Sequence, residues 1–355
     1  MIRQYTLVNF ILRSLSELKY PQTKFVRNFK DFFFSNYNTN IDKNTLEINV
    51  LYDLNFESPT FDFAFAMLQV DKFAKKNNIM FRVIIIKRKR KDYKNWFPLS
   101  VSQLNNRIKS MLIPLSESFD NCLEAIFFED IKDIKKFNDG IFFSYNFSNK
   151  ISYFNYKYLF KYLNKCEDYD GIKIKKNIIE EIKLKLKTID NSTDLNKVIT
   201  ITLRSYNYEK ERDSDIEFWL KIAEYYKKLN YKVYIIPDTD NINDESHRQK
   251  LSQFAFLEEC ALIMNYRIAI YEIAKVNFFP HSGTAAASQL NKNSASVTHL
   301  KTHDHMPNLS KKFFNDIGQT VGENYKFLCK NHKIYWNGDT NGIIEEANKI
   351  IGIKG

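Results

Sequence analysis

The sequence predicts an α/β protein of two domains, each built around a parallel sheet, and three observations predict it. Two separate stretches, Glu47 to Ile86 and Lys197 to Asp240, read as strand, polar loop, helix, strand. In both, the β-branched runs are nearly unbroken, as in strands buried on two faces, and the connection is long enough only for a crossover helix. The chain's 355 residues also exceed what one hydrophobic core ordinarily holds.

Composition narrows the class. With 44% hydrophobic and 27% charged residues the chain is a folded one, not a disordered one. A formal net charge of +11 admits nucleic acid, an anionic membrane surface or a phosphorylated substrate as partner. One dense basic run, Lys87 to Lys91, follows a predicted strand and reads either as a solvated strand end or as a peripheral contact with anionic lipid. No aromatic RNA-binding pattern or zinc-finger spacing accompanies it, so nucleic acid is not an expected partner. Cys122, Cys166, Cys260 and Cys329 stand far apart without a CxxC pair, which argues against a disulfide framework and for a reducing compartment. No stretch approaches the roughly 20 apolar residues of a membrane span. The expected setting is cytoplasmic, with a peripheral position at the inner face of the membrane as a variant.

The first half opens on an amphipathic helix with Ile2, Leu7, Phe10 and Ile11 near one face, followed by a Phe-rich segment, Phe29 to Phe34. Glu47 to Asp53 is a buried strand ending in a carboxylate. After the loop Leu54 to Thr60 comes a helix in which Phe63, Ala66, Met67, Val70, Phe73 and Ala74 recur at helical spacing. Ser58 or Thr60 can cap it, and Pro59 suits its first turn. Phe81 to Ile86 is the next strand. Val101 to Leu112 reads as helix, Ala125 to Phe128 and Gly140 to Ser144 as short strands, Tyr153 to Cys166 as aromatic helix, and Asn177 to Ile189 as a clearer helix. The polar turn Asp190 to Asn196 marks the expected boundary between domains 1–190 and 191–355.

The second half starts with the strand Val198 to Leu203, a polar loop, a helix burying Ile216, Trp219, Leu220 and Ala223, and a second strand that ends at Asp238. Helical sequence runs from about Gln249 to Lys275, with Ile263, Arg267, Ile270, Tyr271 and Ala274 on one face. A strand (Val276 to Phe279), a small-residue helix start (Ser282 to Ala287), a strand near Ser296 to Leu300, the strand Lys333 to Trp336, an Asn337-Gly338 turn and a helix from Gly342 to Gly352 complete it. That last helix can also pack back on the first domain.

Ligands of open α/β sheets bind beyond the carboxyl ends of the strands. Arg204 and Ser205 leave the first strand of the second half there, and a guanidinium in that place binds a pyrophosphate in bidentate fashion. The alternative for Arg204 is an ion pair with Glu209, Glu211 or Asp213. Ser214 and Glu217 form the spelling of a capping box. The turn His281-Ser282-Gly283-Thr284 places small side chains and backbone N–H groups where a strand gives way to a helix, either as an anion site or as a tight turn. Neither the ATP-type nor the nicotinamide glycine spacing is present. Arg267, Tyr271 and Glu272 on the preceding helix hold a ligand or tie the helix to the sheet. Asp238 meets a ribose hydroxyl or merely forms a turn. His299, His303 and His305 with Asp304 match no strong zinc signature, and no metal role is expected of them. Around the crest of the first unit, Asp53, Glu57 and Asp62 are candidate general bases, with Asp62 alternatively serving the helix N-terminus by its charge.

Taken together, ITITLR, RIAIYEIAKVNFFPHSGTAAA and IYWNGDTNGIIEEANKII resemble, in order and element type, the donor domain of the GT-B glycosyltransferases, bacterial fucosyltransferase-like and heptosyltransferase-like. NVLYDLNFESPTFDFAFAML with FRVIIIKR is similar to the first unit of such proteins. The resemblance implies two Rossmann-like domains facing across a cleft. It implies a nucleotide-sugar donor held by the second domain near Arg204, Ser282, Gly283 and Thr284. The acceptor, a glycan or lipid-linked sugar of surface polysaccharide synthesis, would be presented by the first. PHSG departs from the Asp-containing turn of the heptosyltransferase pattern. The nucleotide sugar is a co-substrate, no cofactor is called for, and the diphosphate is neutralised by arginine and a helix terminus without metal. A nucleotide-sugar epimerase of the same architecture and a non-catalytic nucleotide- or sugar-binding protein are the alternatives.

Overall fold

The computed structural model describes residues 47–54, 57–87, 99–130, 133, 142–144, 160, 163–164, 171–206 and 210–353. The expected first helix, the segment Phe29 to Phe34, residues 88–91 of the basic run and most of Tyr153 to Cys166 lie outside them. Two compact units are formed, one from Met1–Ser58, Gln69–Pro98 and Asn121–Asn155, the other from Pro59–Leu68, Leu99–Asp120 and Tyr156–Gly355.

The first unit is a four-stranded parallel sheet of β1 (Glu47–Asp53), β2 (Met80–Ile86), β3 (Cys122–Phe128) and β4 (Phe142–Ser144), in the order β3-β2-β1-β4. β1 is central, and every residue after Glu47 is buried, which explains its unbroken apolar spelling. The crossover from β1 to β2 is α1 (Asp62–Asn77). It stops at Asn78, whose positive φ of 53° suits asparagine, and Ile79 N–H returns to the Ala74 carbonyl at 3.0 Å. Further along α1, the Asp71 carboxylate accepts both the backbone N–H and the side-chain amide of Asn121, at 3.1 and 2.9 Å, and so fixes the entry to β3.

The second unit carries a six-stranded parallel sheet of β5 (Val198–Thr202), β6 (Lys232–Ile236), β7 (Ala255–Phe256), β8 (Val276–Phe279), β9 (Ser296–Leu300) and β10 (His332–Trp336). Its order is β10-β9-β8-β5-β6-β7. The chain steps outward from β5 through β6 to β7, then returns to β8 and steps the other way. That is the doubly wound Rossmann order, and its topological switch point lies between β5 and β8. The first sheet repeats the opening of the same order, with its switch between β1 and β4.

Helices cover this second sheet. Before it in the chain, α2 (Val101–Arg107) opens on a capping box of Ser100 and Gln103, passes through a wide turn at Ile108–Leu112 and continues as α3 (Ile113–Glu117). Pro114 has no N–H for the regular ladder, and Ile113 N–H reaches back five residues to the Ile108 carbonyl. α4 (Lys176–Ile189) packs on α8 (Met264–Ile273), so it groups with the second sheet although it precedes the turn at Asp190. α5 (Ile216–Lys228) and α11 (Thr340–Ile351), which follows the short α10 (Lys311–Asp316) in the chain, pack on the sheet and on each other, placing Trp219, Ala223, Ile343 and Ala347 in one core with Ile199, Ile235 and Phe278. Tyr226 Oη donates to Asn348 Oδ1 at 3.0 Å across that seam.

The helix expected from Gln249 to Lys275 is not continuous. It resolves into the end of α6 (Glu245–Lys250), the short strand β7, α7 (Glu258–Leu262) and α8. Leu251 and Phe254 turn into the core, Ala255 and Phe256 pair beside Tyr234 and Ile235, and Ile263 breaks the helix with an extended backbone. The break at Ile263 is a single residue, and the seven residues from Leu251 to Leu257 keep apolar residues at near-helical spacing, which is why the spelling conceals both. Among the described residues no helix is long and apolar enough to cross a membrane.

Candidate functional site

The crevice beyond β5 and β8 is assembled first from the chain leaving β5. Arg204 is 6% exposed, and its guanidinium pairs with Asp213. Asp213 is one of the three carboxylates expected as its ion-pair partner. Its backbone N–H donates to Ser214 Oγ at 2.8 Å, and Ser214 N–H donates to the Arg204 carbonyl at 2.9 Å. Asp213 also accepts the Tyr206 N–H at 3.1 Å. Burial raises the Asp213 pKa against the opposing pull of the Tyr206 N–H and the Arg204 charge. The capping box expected of Ser214 and Glu217 is therefore not formed. Ser214 is engaged by Arg204, Asp215 caps α5 by accepting the Phe218 N–H at 3.3 Å, and Glu217 pairs with Lys250 at 2.7 Å.

Next to this loop, the turn after β6 is held by its own side chains. Asp238 accepts N–H groups from Ser205 at 3.2 Å and Asp240 at 2.9 Å, while Thr239 Oγ1 donates to the Ala261 carbonyl at 3.0 Å. Asp240 forms an ion pair with Arg107 of α2. Asp238, Thr239 and Asp240 form a turn, closed by the Asn241 N–H on the Asp238 carbonyl at 3.3 Å. Ser205 Oγ donates to Asp244 at 2.6 Å. Burial alone would raise Asp244, but the hydroxyls of Ser205 and Ser246 outweigh it and hold its pKa at about 2. The Tyr206 ring lies 5.7 Å from the Arg107 guanidinium and 5.9 Å from that of Arg204.

Arg267 on α8 is 1% exposed and, among the described residues, has no carboxylate in ion-pair contact. Its Nε donates to the Cys260 carbonyl at 2.9 Å, and Nη2 donates to the Ala261 carbonyl at 2.8 Å and to Thr239 Oγ1 at 3.0 Å. Nη1 is buried without a hydrogen-bond partner, and the Phe61 ring stands 5.7 Å from the guanidinium carbon. Tyr271, one turn on, is fully buried with its hydroxyl 2.9 Å from Thr202 Oγ1, which ties α8 to the sheet. Glu272 accepts the Asn291 side-chain amide at 2.9 Å, and burial raises its pKa.

Beyond β8 the expected helix start is a single tight turn at Gly283–Ala285 followed by the four-residue α9 (Ala286–Gln289). So short a helix has no appreciable macrodipole, which removes the helix-terminus argument for an anion at Ser282 to Ala287. The small residues have another reason. A β-carbon at Gly283 would stand 3.0 Å from Phe61 Cβ, so glycine permits that approach. The Ser282 and Thr284 hydroxyls bond each other at 2.6 Å. Arg212 Nε donates to the His281 carbonyl at 3.1 Å.

A cleft opens at this edge, lined by Arg212, Asp213 and Asp215 from the β5 loop, Phe218 from α5, His281 after β8, and His299, Lys301 and His303 at the end of β9. His299 is 5% exposed and stacked on Phe218 at 4.5 Å and 8°. Burial, then Lys301, pushes its pKa down to about 4. Burial, then Arg212 and Arg204, holds His281 well below the usual imidazole range. Among the described residues no three His, Cys, Asp or Glu side chains are grouped to hold a metal ion.

Of the candidate bases, Asp53 and Glu57 are each 4% exposed in the first unit. Asp53 stands at the end of β1 beside that sheet's switch point, and its carbonyl accepts the Glu57 N–H at 2.9 Å. Asp62 belongs to the second unit, at the start of α1, where it accepts the Thr60 hydroxyl at 2.9 Å. Sequence reasoning missed Arg107, Tyr206 and Lys301 altogether, and His299 was noticed only for its neighbours in sequence. Nothing local marks the first three. Arg107 comes from α2 and Lys301 from the end of β9, and only the fold brings them beside the loop after β5.

No family model and no curated protein sequence matches the chain. Solved structures do. A glycosyl transferase of family 9 from Veillonella parvula superposes with a TM-score of 0.55 at 10% identity, covering 88% of this chain and 99% of the other. The ADP-heptose LPS heptosyltransferase II of E. coli superposes with a TM-score of 0.52 at 8% identity, covering 86% and 98%. At such identities the likeness is one of fold: this is an α/β chain whose parallel sheets match those of GT-B glycosyltransferases.

Proposed function

We propose that the chain is a glycosyltransferase that moves a sugar from a nucleotide-sugar donor to a glycan or lipid-linked acceptor, without metal, in surface polysaccharide synthesis. The observation that supports this most is the switch point between β5 and β8. At one sheet edge it gathers Arg204, Ser205, Asp238 and the His281–Thr284 turn, in a fold shared with transferases of nucleotide-activated sugars. In this reading Arg204 exchanges Asp213 for the donor diphosphate, the Ser282-Gly283-Thr284 turn lies beside it, and Asp53, Glu57 or Asp62 takes the acceptor proton.

A thermal-shift panel of nucleoside diphosphates and their sugars tests it. At least one pair is expected to raise the melting temperature by mass action, and Arg204→Ala is expected to abolish that rise while the far-ultraviolet spectrum stays native. No rise with any nucleotide at millimolar concentration sinks the proposal. Turnover of a donor in the absence of any acceptor marks an epimerase instead, and loss of transfer in EDTA removes metal independence.

A further inference from the structure

His281 Nδ1 and His299 Nε2 are both buried without a hydrogen-bond partner, and both residues line the cleft above β8 and β9. An unsatisfied buried polar atom is costly, and two such atoms in residues that line one cleft call for an explanation. The neighbouring strand provides the comparison. His332 on β10 is fully buried, yet Ser296 Oγ lies 2.8 Å from its Nδ1 and its Nε2 donates to the Asn291 carbonyl at 3.1 Å. A histidine that serves only the packing of this sheet has both nitrogens engaged. His281 and His299 do not.

The lining of the cleft says what completes them. Asp213, Asp215 and Glu211 stand there with Arg212 and Lys301. A phosphate would gain from the two cations and lose against three carboxylates, and an ammonium group would meet the reverse. A hydroxyl both donates and accepts, so it satisfies an imidazole nitrogen in either tautomer and a carboxylate beside it. Burial keeps both rings neutral, which suits a neutral ligand. The Phe218 stack fixes the plane of His299 and therefore the direction of Nε2, and the Arg212 bond to the His281 carbonyl fixes the turn that carries the other ring.

We propose that this cleft is a hydroxyl-recognition subsite in which a polyol hydrogen-bonds His281 Nδ1 and His299 Nε2, the polyol being the sugar of the transferred donor. Only the second clause rests on the glycosyltransferase reading. The subsite itself rests on the two imidazoles.

The test is a histidine-ring nitrogen NMR titration of the full chain, with free galactose, mannose, glucose and fucose, with nucleotide sugars and their bare nucleotides, and with inorganic phosphate. The expected result is that both ring signals move with at least one free or nucleotide-linked sugar and not with phosphate. His299→Phe should then weaken the sugar-induced response of His281 by about tenfold in affinity, the worth of one hydrogen bond, and leave bare nucleotide binding unchanged. Rings that answer to phosphate and to no sugar, or to none of the probes, as when ordered water alone fills the cleft, overturn the subsite. The wild-type titration decides this even if the variant fails to fold. Nucleotide binding with unmoved rings removes the subsite and leaves the transferase reading standing. Rings moved by free sugar in a chain that binds no nucleotide do the opposite.

Discussion

Arg204 and Ser214, ten positions apart in the chain, hold each other, the Arg204 N–H on Ser214 Oγ at 2.8 Å and the Ser214 N–H on the Arg204 carbonyl at 2.9 Å. The two bonds close the loop at its base, and the Arg204–Asp213 ion pair lies just inside them. Ser214→Ala keeps the backbone bond and strips the Arg204 N–H of its acceptor. The expected cost is about 1–2 kcal/mol in urea unfolding, since a buried donor is left unmet. An unchanged midpoint would show that water replaces the hydroxyl and that the loop is not closed this way.

Arg267 is a buried cation whose bonds all go to neutral oxygens: two carbonyls at the end of α7 and the Thr239 hydroxyl. Its planar fork spans these acceptors in a way one ammonium group does not. Arg267→Lys is therefore expected to destabilise by about 2–4 kcal/mol, close to the cost of Arg267→Ala. Denaturant melts of the two variants check this, and a lysine variant as stable as the parent would refute the geometric argument.

Much of the fold was legible because buried parallel strands are nearly continuous in apolar residues and turn residues punctuate them. β5, β6, β8 and their neighbours stand where their spelling puts them. The breaks between Leu251 and Met264 are not legible, because Leu251, Phe254 and Leu257 continue an apolar spacing close to the helical one and the break at Ile263 is a single residue. Arg204 and Asp238 stand beyond strand ends and Arg267 on a helix, the places their spelling gives them. Asp213 is legible as a partner of Arg204, whereas the Arg107–Asp240 pair is not, because its members lie 133 residues apart and meet only through the fold. His299 escaped for a related reason: the sequence shows its neighbours His303 and His305, while its decisive features are the Phe218 stack and an unpartnered nitrogen.

Gly342 and Tyr335 form a second coupled pair. A β-carbon at Gly342 would come 1.7 Å from the Tyr335 hydroxyl, because the ring lies across the start of α11. In an open helix Gly→Ala gains up to about 1 kcal/mol. Here the ring must swing aside, and Gly342→Ala is expected to cost about 1–2 kcal/mol instead. In a Tyr335→Ala background the same substitution should become neutral or stabilising, giving a coupling energy above about 1 kcal/mol in a double-mutant cycle. Additive effects would mean that the ring does not cover the glycine.

Acid should destabilise the fold before any carboxylate of ordinary pKa titrates. His299 and His332 are each pushed down to about 4 by burial, from an ordinary value of 6.5. The folded state thus holds them neutral where the unfolded chain would protonate them. Their contribution is fully present above the unfolded value and is lost as pH falls from 6.5 through the folded value of about 4. Each is worth on the order of 3 kcal/mol over that interval, a slope of about 1.4 kcal/mol per pH unit per histidine. His281, held low by the same cause, adds in the same direction. Asp213, Asp238 and Glu272, whose pKa values burial raises, act in the opposite sense near the carboxylate range, so the effect is cleanest between about pH 7 and 5.5. Unfolding free energy measured across that window should fall as pH is lowered, and His299→Phe should make the fall shallower by one proton's slope. A flat profile in the parent protein would mean that these imidazoles take up protons in the folded state and are not held neutral by burial.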